Sequence, residues 1–242
     1  MSEILKTEAI VLTKINYSDS SKIVTLFSEK LGKVTLIVKG GRNKNSKTGI
    51  IVDPMNIINV VIYNKSGRDV QLLSSADLVS LFSNIRSDYN KLKYGFAILE
   101  LINGQYLHEE PNPRLYLGIK KIFERLNSLE EEPQIVFLRF FLFFLKELGF
   151  DISVATCPLC NSDLPGNKFY GFVYSRGIIC SNCAEKGNGL ELSTELFDLY
   201  NCLKFKKTVN FNKLTIDLIQ SQLIRFLQHH SIGFNELKSL NG

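Results

Sequence analysis

Two cysteine couplets constrain this chain more than any other feature: Cys157-Pro158-Leu159-Cys160, a spacer of nineteen residues, then Cys180-Ser181-Asn182-Cys183. Two residues between cysteines allow a tight turn in which both sulfurs converge on one ion about 2.3 Å away, and the spacer suits a tetrahedral zinc site. Bound Zn2+ lowers the thiol pKa, so four thiolates persist at neutral pH. The spacer itself reads as a hairpin: Lys168 to Tyr174 alternates like a strand, Ser175-Arg176-Gly177 can turn, and Ile178-Ile179 leads back to the second couplet. The expectation is a zinc-ribbon-like module closed by Cys157, Cys160, Cys180 and Cys183. With four sulfur ligands no coordination position stays open, which points to a structural ion, not a catalytic one. The competing readings are a pair of redox dithiols or four unrelated buried thiols. Cys202 has no partner motif and reads as a small buried hydrophobe.

Ahead of this module the periodicity changes once. Residues 4–75 read as short strands: Ile4 to Ile15, Ile23 to Phe27, an alternating run around Val34, Leu36 and Val38, then Ile57 to Tyr63 and Val70 to Leu73. Gly32 closes a hairpin turn, and Gly40 to Gly49 is a polar loop made mobile by adjacent glycines. Five short strands in this length suit a small barrel, of which the OB-fold is the commonest, with an SH3-like barrel as the alternative. From Asp77 the spacing becomes helical, with Tyr89, Leu92, Phe96 and Leu99 as one apolar stripe. Further helices are expected over Arg114–Leu126 (Leu115, Ile119, Ile122 and Phe123 inward) and from Pro133 to near Gly149. Two more follow the cysteines, one capped by Ser193 and running through Leu203, the other over Leu214–His229 with Leu218, Ile219, Gln222, Leu223, Phe226 and Leu227 inward. The fold class is therefore α+β and multidomain: a five-stranded OB-fold barrel over 1–79, an α-helical domain over 80–153 and 190–242, and the inserted four-cysteine, zinc-ribbon-like module over 154–189.

Charge separates the function classes. The net charge is only +5, but residues 1–80 carry eleven Lys or Arg against seven acids, and residues 201–242 six against two. Lys30, Lys33, Lys39, Arg42, Lys44 and Lys47 fall within eighteen residues that contain no acid. A basic loop between barrel strands can follow a phosphate backbone by releasing counterions; the alternative is a solvated surface loop. Lys33, Lys39, Arg42, Lys44 and Lys47 are the candidate DNA contacts, with Tyr17 or Phe27 as base-stacking residues and Phe27 more suited to the core. No Walker A, G-x-S-x-G, H-E-x-x-H or H-x-E motif occurs, so no catalytic residues are assigned. His229 and His230 sit at an expected helix C-terminus, where a positive ring is favoured; His108 is the third histidine. Glu130-Glu131-Glu132 suits the positive N-terminal end of the Pro133 helix. The most apolar stretch, Ile135 to Leu145, is too short to span a bilayer and no secretory signal is expected, so no membrane contact is assigned and a cytoplasmic chain is the default.

Taken together in order, these segments resemble the bacterial recombination mediator family RecO. The resemblance is carried by Glu8-Ala-Ile-Val-Leu12, Tyr17-Ser-Asp-Ser-Ser-Lys-Ile-Val-Thr-Leu-Phe27, Gly32-Lys-Val34, Val38-Lys-Gly-Gly-Arg42 with Ser46, and Asp53-Pro54. It continues through the four cysteines with Gly171-Phe172 and Gly177-Ile178, His229-His230, and Leu237-Lys-Ser-Leu240. The chain departs from the pattern at Ser18-Asp19 and at Met55, where an aromatic is common. The resemblance implies an N-terminal OB-fold, a helical domain and a zinc module inserted between helices. It also implies binding of single- and double-stranded DNA and annealing of complementary strands. With a RecR partner, such a protein helps RecA load onto DNA covered by single-strand-binding protein, in the cytoplasm at the nucleoid and without hydrolysis. A peptide of the single-strand-binding protein would dock on the helical domain. The alternatives are a zinc-stabilised protein–protein scaffold without DNA contact, or a zinc hydrolase or deaminase.

Overall fold

The computed structural model describes residues 2–105, 110–128 and 131–241; His108 and Glu130 lie outside them. Two compact units divide the chain, residues 1–133 with 237–242, and residues 134–236.

The first unit opens with five strands, β1 (Ser2–Tyr17), β2 (Ser21–Ser28), β3 (Gly32–Val38), β4 (Ile57–Lys65) and β5 (Val70–Ser80), closed into a barrel in the order β1-β2-β3-β5-β4. β1 is long enough to pair with β4 along its first half and β2 along its second, and a bulge at Leu12 lets it bend between them. The parallel pairing of β3 with β5 closes the circle. This is the OB-type barrel of the sequence reading, and the SH3-like alternative is set aside. Alternation decides what fills it: Val11, Val24, Leu26, Leu36, Val38, Ile58, Val60 and Ile62 point inward and are buried. Phe27 is fully buried.

Between β3 and β4 the structure departs from the expected mobile loop. Residues 39–46 form a chain of tight turns, held by Gly41 N–H to Val38 O, Asn43 N–H to Gly40 O, and Ser46 N–H to Asn43 O. Ser46 then caps a short helix, α1 (Lys47–Ile51), its hydroxyl accepting from Gly49 N–H. A five-residue helix is below the length at which apolar periodicity shows.

β5 runs on to Ser80, so helical structure begins after residue 82 and not at Asp77. Phe82 adopts a left-handed backbone (φ 51°) and stacks on Phe123 at the start of α2 (Ser83–Ser87). Arg86 ties α2 to the barrel through Pro54 O and Asn56 Oδ1. In α3 (Tyr89–Gln105) the buried face runs through Tyr94, Ala97, Ile98, Leu101 and Ile102. Of the expected stripe Leu99 is buried and Leu92 half-buried, but Tyr89 and Phe96 are exposed. Gly95 makes room for the buried Met55, whose sulfur would stand 3.1 Å from a β-carbon there. In α4 (Pro113–Asn127) Leu115, Ile119, Ile122 and Phe123 are buried as expected. Tyr116 of α4 donates its hydroxyl to Glu8 Oε1 of β1 at 2.7 Å, and Lys120 reaches the same oxygen at 2.9 Å.

The second unit begins with α5 (Pro133–Glu147), buried around most of its circumference, with Phe140 stacked on Phe144. Glu131, just ahead of α5, pairs with Arg125. A three-stranded sheet follows, β6 (Tyr170–Val173), β7 (Gly177–Cys180) and β8 (Leu190–Leu192) in the order β7-β6-β8, with α6 (Ser181–Glu185) after β7. The hairpin β6–β7 was expected; β8 was not. The last helices are α7 (Thr194–Lys204), capped by Ser193, and α8 (Lys213–His230), capped by Asn212. Ile219, Leu223, Phe226 and Leu227 face inward on α8, but Leu218 is exposed. Gln222, half-buried, accepts from the buried Tyr200 hydroxyl at 3.0 Å. Cys202 is half-buried, not enclosed.

Candidate metal centre and nucleic-acid interface

The four couplet cysteines come together in the second unit. Their sulfurs all lie within 4.8 Å of one another, and Cys160 Sγ is 3.6 Å from Cys180 Sγ. Four thiolates about 2.3 Å from a central ion stand about 3.8 Å apart, so the donor set and spacing fit a tetrahedral metal ion.

Each knuckle is built by its own backbone. At the first, Asn161 N–H returns to Cys157 O and Cys157 N–H to Ser162 O, with Asn161 in the left-handed region (φ 59°). At the second, Cys180 ends β7 and precedes α6, whose first turn carries Cys183. Asn167 staples the two. Its amide donates to Asp163 O and Leu164 O, and its carbonyl oxygen accepts from Ser181 N–H and Oγ–H. Sequence reasoning missed Asn167, because an Asn in a polar spacer carries no spacing signal. Gly171 is also demanded by packing, since a β-carbon would lie 2.8 Å from the Ile179 side chain.

Without a cation these thiols cannot all ionise. Burial, then hydrogen bonding with Cys160, Cys180 and Cys157, pushes Cys183 up to about 12. Hydrogen bonds from Ser162 pull Cys160 down to about 6. A central divalent ion removes the conflict by favouring the charged form of every ligand.

His229 and His230 lie elsewhere in this unit. His230 stacks on Phe150 at 4.4 Å, and burial holds its pKa below the ordinary value, with His229 adding to the effect. The positive ring expected there is therefore disfavoured for His230.

The basic candidates lie in the first unit. Lys39, Arg42, Lys44 and Lys47 are all exposed on the turns between β3 and β4 and the start of α1. Their loop is docked: Arg42 donates its backbone N–H to Ser20 O and its guanidinium to Ser18 O, while Lys22 Nζ reaches Gly49 O at 2.7 Å. Arg42 thereby holds the loop against the β1–β2 turn, beside the half-exposed Tyr17. Lys33 does not join this group. It begins β3, about 20 Å from Lys39 at the far end, and donates to Asn103 O near the end of α3. Burial lowers its pKa.

Strand register adds residues that linear reading could not group. Ile15 lies opposite Ile23, and Ile23 opposite Ile37, forming an apolar row on the outer face of β1–β2–β3. Thr13, Thr25 and Thr35 form the row beside it. No helix among the described residues is long and apolar enough to cross a membrane.

Two family models cover nearly the whole chain: recombination protein O N terminal over residues 1–82, and recombination protein O C terminal over residues 86–240. A DNA repair protein RecO from Chlorobaculum parvum is 37% identical over 68% of this chain and 63% of its own length. One from Geobacter metallireducens is 33% identical over 76% of this chain and 75% of its own length. One from Acetivibrio thermocellus is 26% identical over 85% and 81%. The chain thus spans less than two thirds of the Chlorobaculum relative. The two models together match nearly all of a chain that folds as an OB-type barrel, a helical region and a tetracysteine cluster, and the chain belongs to the recombination protein O family.

Proposed function

We propose that this protein is a DNA-binding recombination mediator acting in DNA repair, which anneals strands and helps a RecA-type recombinase load onto single-stranded gaps without making or breaking covalent bonds. The observation that carries this reading is the docked cationic loop of Lys39, Arg42, Lys44 and Lys47 beside the outer barrel face. Phosphates follow the lysines by counterion release, and bases lie against Tyr17 and the Ile15–Ile23–Ile37 row. Arg42 has two jobs: it presents charge and, through Ser18 O, fixes where the loop stands. Lys33 contributes to the general positive field from the opposite end of β3, since its nitrogen is engaged by Asn103 O.

The metal of the cysteine cluster is zinc in this reading, supported by four sulfur donors at tetrahedral spacing. When bound, zinc supplies cross-linking and no Lewis-acid chemistry, because all four positions are occupied by protein. Cys157 and Cys160 hold the first knuckle and Cys180 and Cys183 the second, so the ion ties the first knuckle to the end of β7 and the start of α6. We assign the functional boundaries to a barrel over 1–79, a helical domain over 80–153 and 190–242, and the zinc module over 154–189. RecR, single-strand-binding protein and both single- and double-stranded DNA are the partners, and the cytoplasmic nucleoid is the site of action; family membership supports each of these. The test is annealing of complementary oligonucleotides precoated with single-strand-binding protein. Acceleration by this protein, reduced when Lys39, Lys44 and Lys47 become Ala, supports the reading; no acceleration refutes it.

A further inference from the structure

The connection between α7 and α8 is the second acid-free basic segment of the chain. Residues 199–216 contain Lys204, Lys206, Lys207 and Lys213 and no Asp or Glu. Two of these lysines are engaged within the unit: Lys204 pairs with Asp151 and Ile152 O, and Lys213 with Gln134 and Asp217. Lys206 and Lys207 are exposed. Phe205, between Lys204 and Lys206 in the chain, is 61% exposed, with Lys207 Nζ 5.8 Å from its ring centroid.

This segment is held, not loose. Lys207 N–H returns to Cys202 O at 3.0 Å, and the Lys207 carbonyl accepts from the Arg139 guanidinium at 2.6 Å. Lys206 occupies the left-handed position that ends α7 (φ 55°), where glycine is the usual residue. A lysine there keeps a charge beside Phe205 in spite of an unfavourable backbone.

We propose that the α7–α8 connection is a second single-stranded nucleic-acid contact, in which the Phe205 ring stacks a base and Lys206 and Lys207 take the flanking phosphates. It rests on the annealing reading above and deepens it. Annealing requires two polyanions to be held at once, and a cationic loop on the barrel in the first unit accounts for one. A single-stranded nucleic acid suits this patch better than an acidic peptide. Base stacking needs one open ring face beside cations, whereas a peptide side-chain anchor needs a concave pocket, and the Phe205 ring stands out in solvent.

The experiment uses the full chain and complementary oligonucleotides, one of them carrying photoreactive iododeoxyuridine. Phe205→Ala and the double variant Lys206→Ala/Lys207→Ala are expected to slow annealing about tenfold, the scale of one lost base stack. Irradiated wild-type protein is expected to cross-link within residues 203–209 as well as on the barrel. Unchanged annealing in both variants overturns the second contact, as does cross-linking confined to the barrel. Variants that lose affinity for an acidic peptide while annealing normally assign the patch to a protein partner and overturn it too. Wild-type protein that does not bind the oligonucleotide overturns both this contact and the function proposed above, and circular dichroism of each variant separates loss of contact from loss of fold.

Discussion

Gly49 lies so close to Gly41 that a β-carbon built on it would stand 2.1 Å from the Gly41 carbonyl oxygen. The contact closes the cationic loop on itself, with Gly49 in the first turns of α1 and Gly41 at the exit of β3. Gly49→Ala forces backbone apart, not merely a side-chain end. We expect about 1–3 kcal/mol of destabilisation, the range of an overpacked core, read as a lower midpoint in urea unfolding. Single-strand affinity should fall as well, because the same displacement moves Arg42, Lys44 and Lys47.

The cysteine cluster predicts one tightly held zinc per chain by elemental analysis. Removing it with a chelator should lower the thermal transition and expose the thiols, since Cys157, Cys180 and Cys183 are otherwise buried or nearly so. Cys157→Ser should lose the metal and destabilise strongly. Asn167→Ala should keep the metal but weaken the link between knuckles by about 1 kcal/mol, because it removes hydrogen bonds to part-buried partners.

Tyr116 and Lys120 share one oxygen of Glu8. Burial alone would raise the Glu8 carboxyl, but the Lys120 and Tyr116 hydrogen bonds outweigh it and hold its pKa below the ordinary value. Tyr116→Phe removes a hydrogen bond to a charged group and should destabilise by about 1–2 kcal/mol at neutral pH. The loss should shrink on acidification, because stability from a depressed carboxyl is present above its unfolded pKa and disappears as pH falls through the folded one.

His230 acts at a higher pH. Its pKa is depressed by burial, so the folded state binds its proton less readily than the unfolded chain does. Stability from the neutral ring is complete above the ordinary value near 6.5 and is lost as pH falls below it toward the folded pKa. His230→Phe, which can keep the stack on Phe150, should flatten the decline in melting temperature just below pH 6.5. An unchanged decline would remove His230 as its source.

Strands were readable in this sequence because the barrel buries one face of each, which writes period two into runs such as Val34 to Val38. Helices α5 and α7 were readable from a first-turn proline and a cap, Pro133 and Ser193, and α4 and α8 from the spacing of their apolar residues. The stripe on α3 was misplaced because two of its apolar residues, Tyr89 and Phe96, are exposed, and neither their identity nor their spacing distinguishes a surface aromatic from a core one. The couplets announced the metal cluster through spacing alone. Asn167 did not announce itself, since its four hydrogen bonds depend on a hairpin that only the folded chain supplies. The loop of residues 39–49 was legible in charge but not in shape. Composition gave its lysines, whereas its docking depends on Arg42 meeting Ser18 and Ser20 across the barrel end. Lys33 shared the same stretch of sequence with that loop and ended at the other end of its strand.

The most direct test of a cationic grip on DNA is the salt dependence of single-strand binding for the wild-type chain and for a Lys39→Ala/Lys44→Ala/Lys47→Ala variant that keeps Arg42 and its docking bond. Each lost phosphate contact reduces the slope of log affinity against log salt by about 0.7 for single strands. A slope shallower by about 2, with an unchanged melting temperature, is the expected result. Identical slopes for the two proteins would contradict the account.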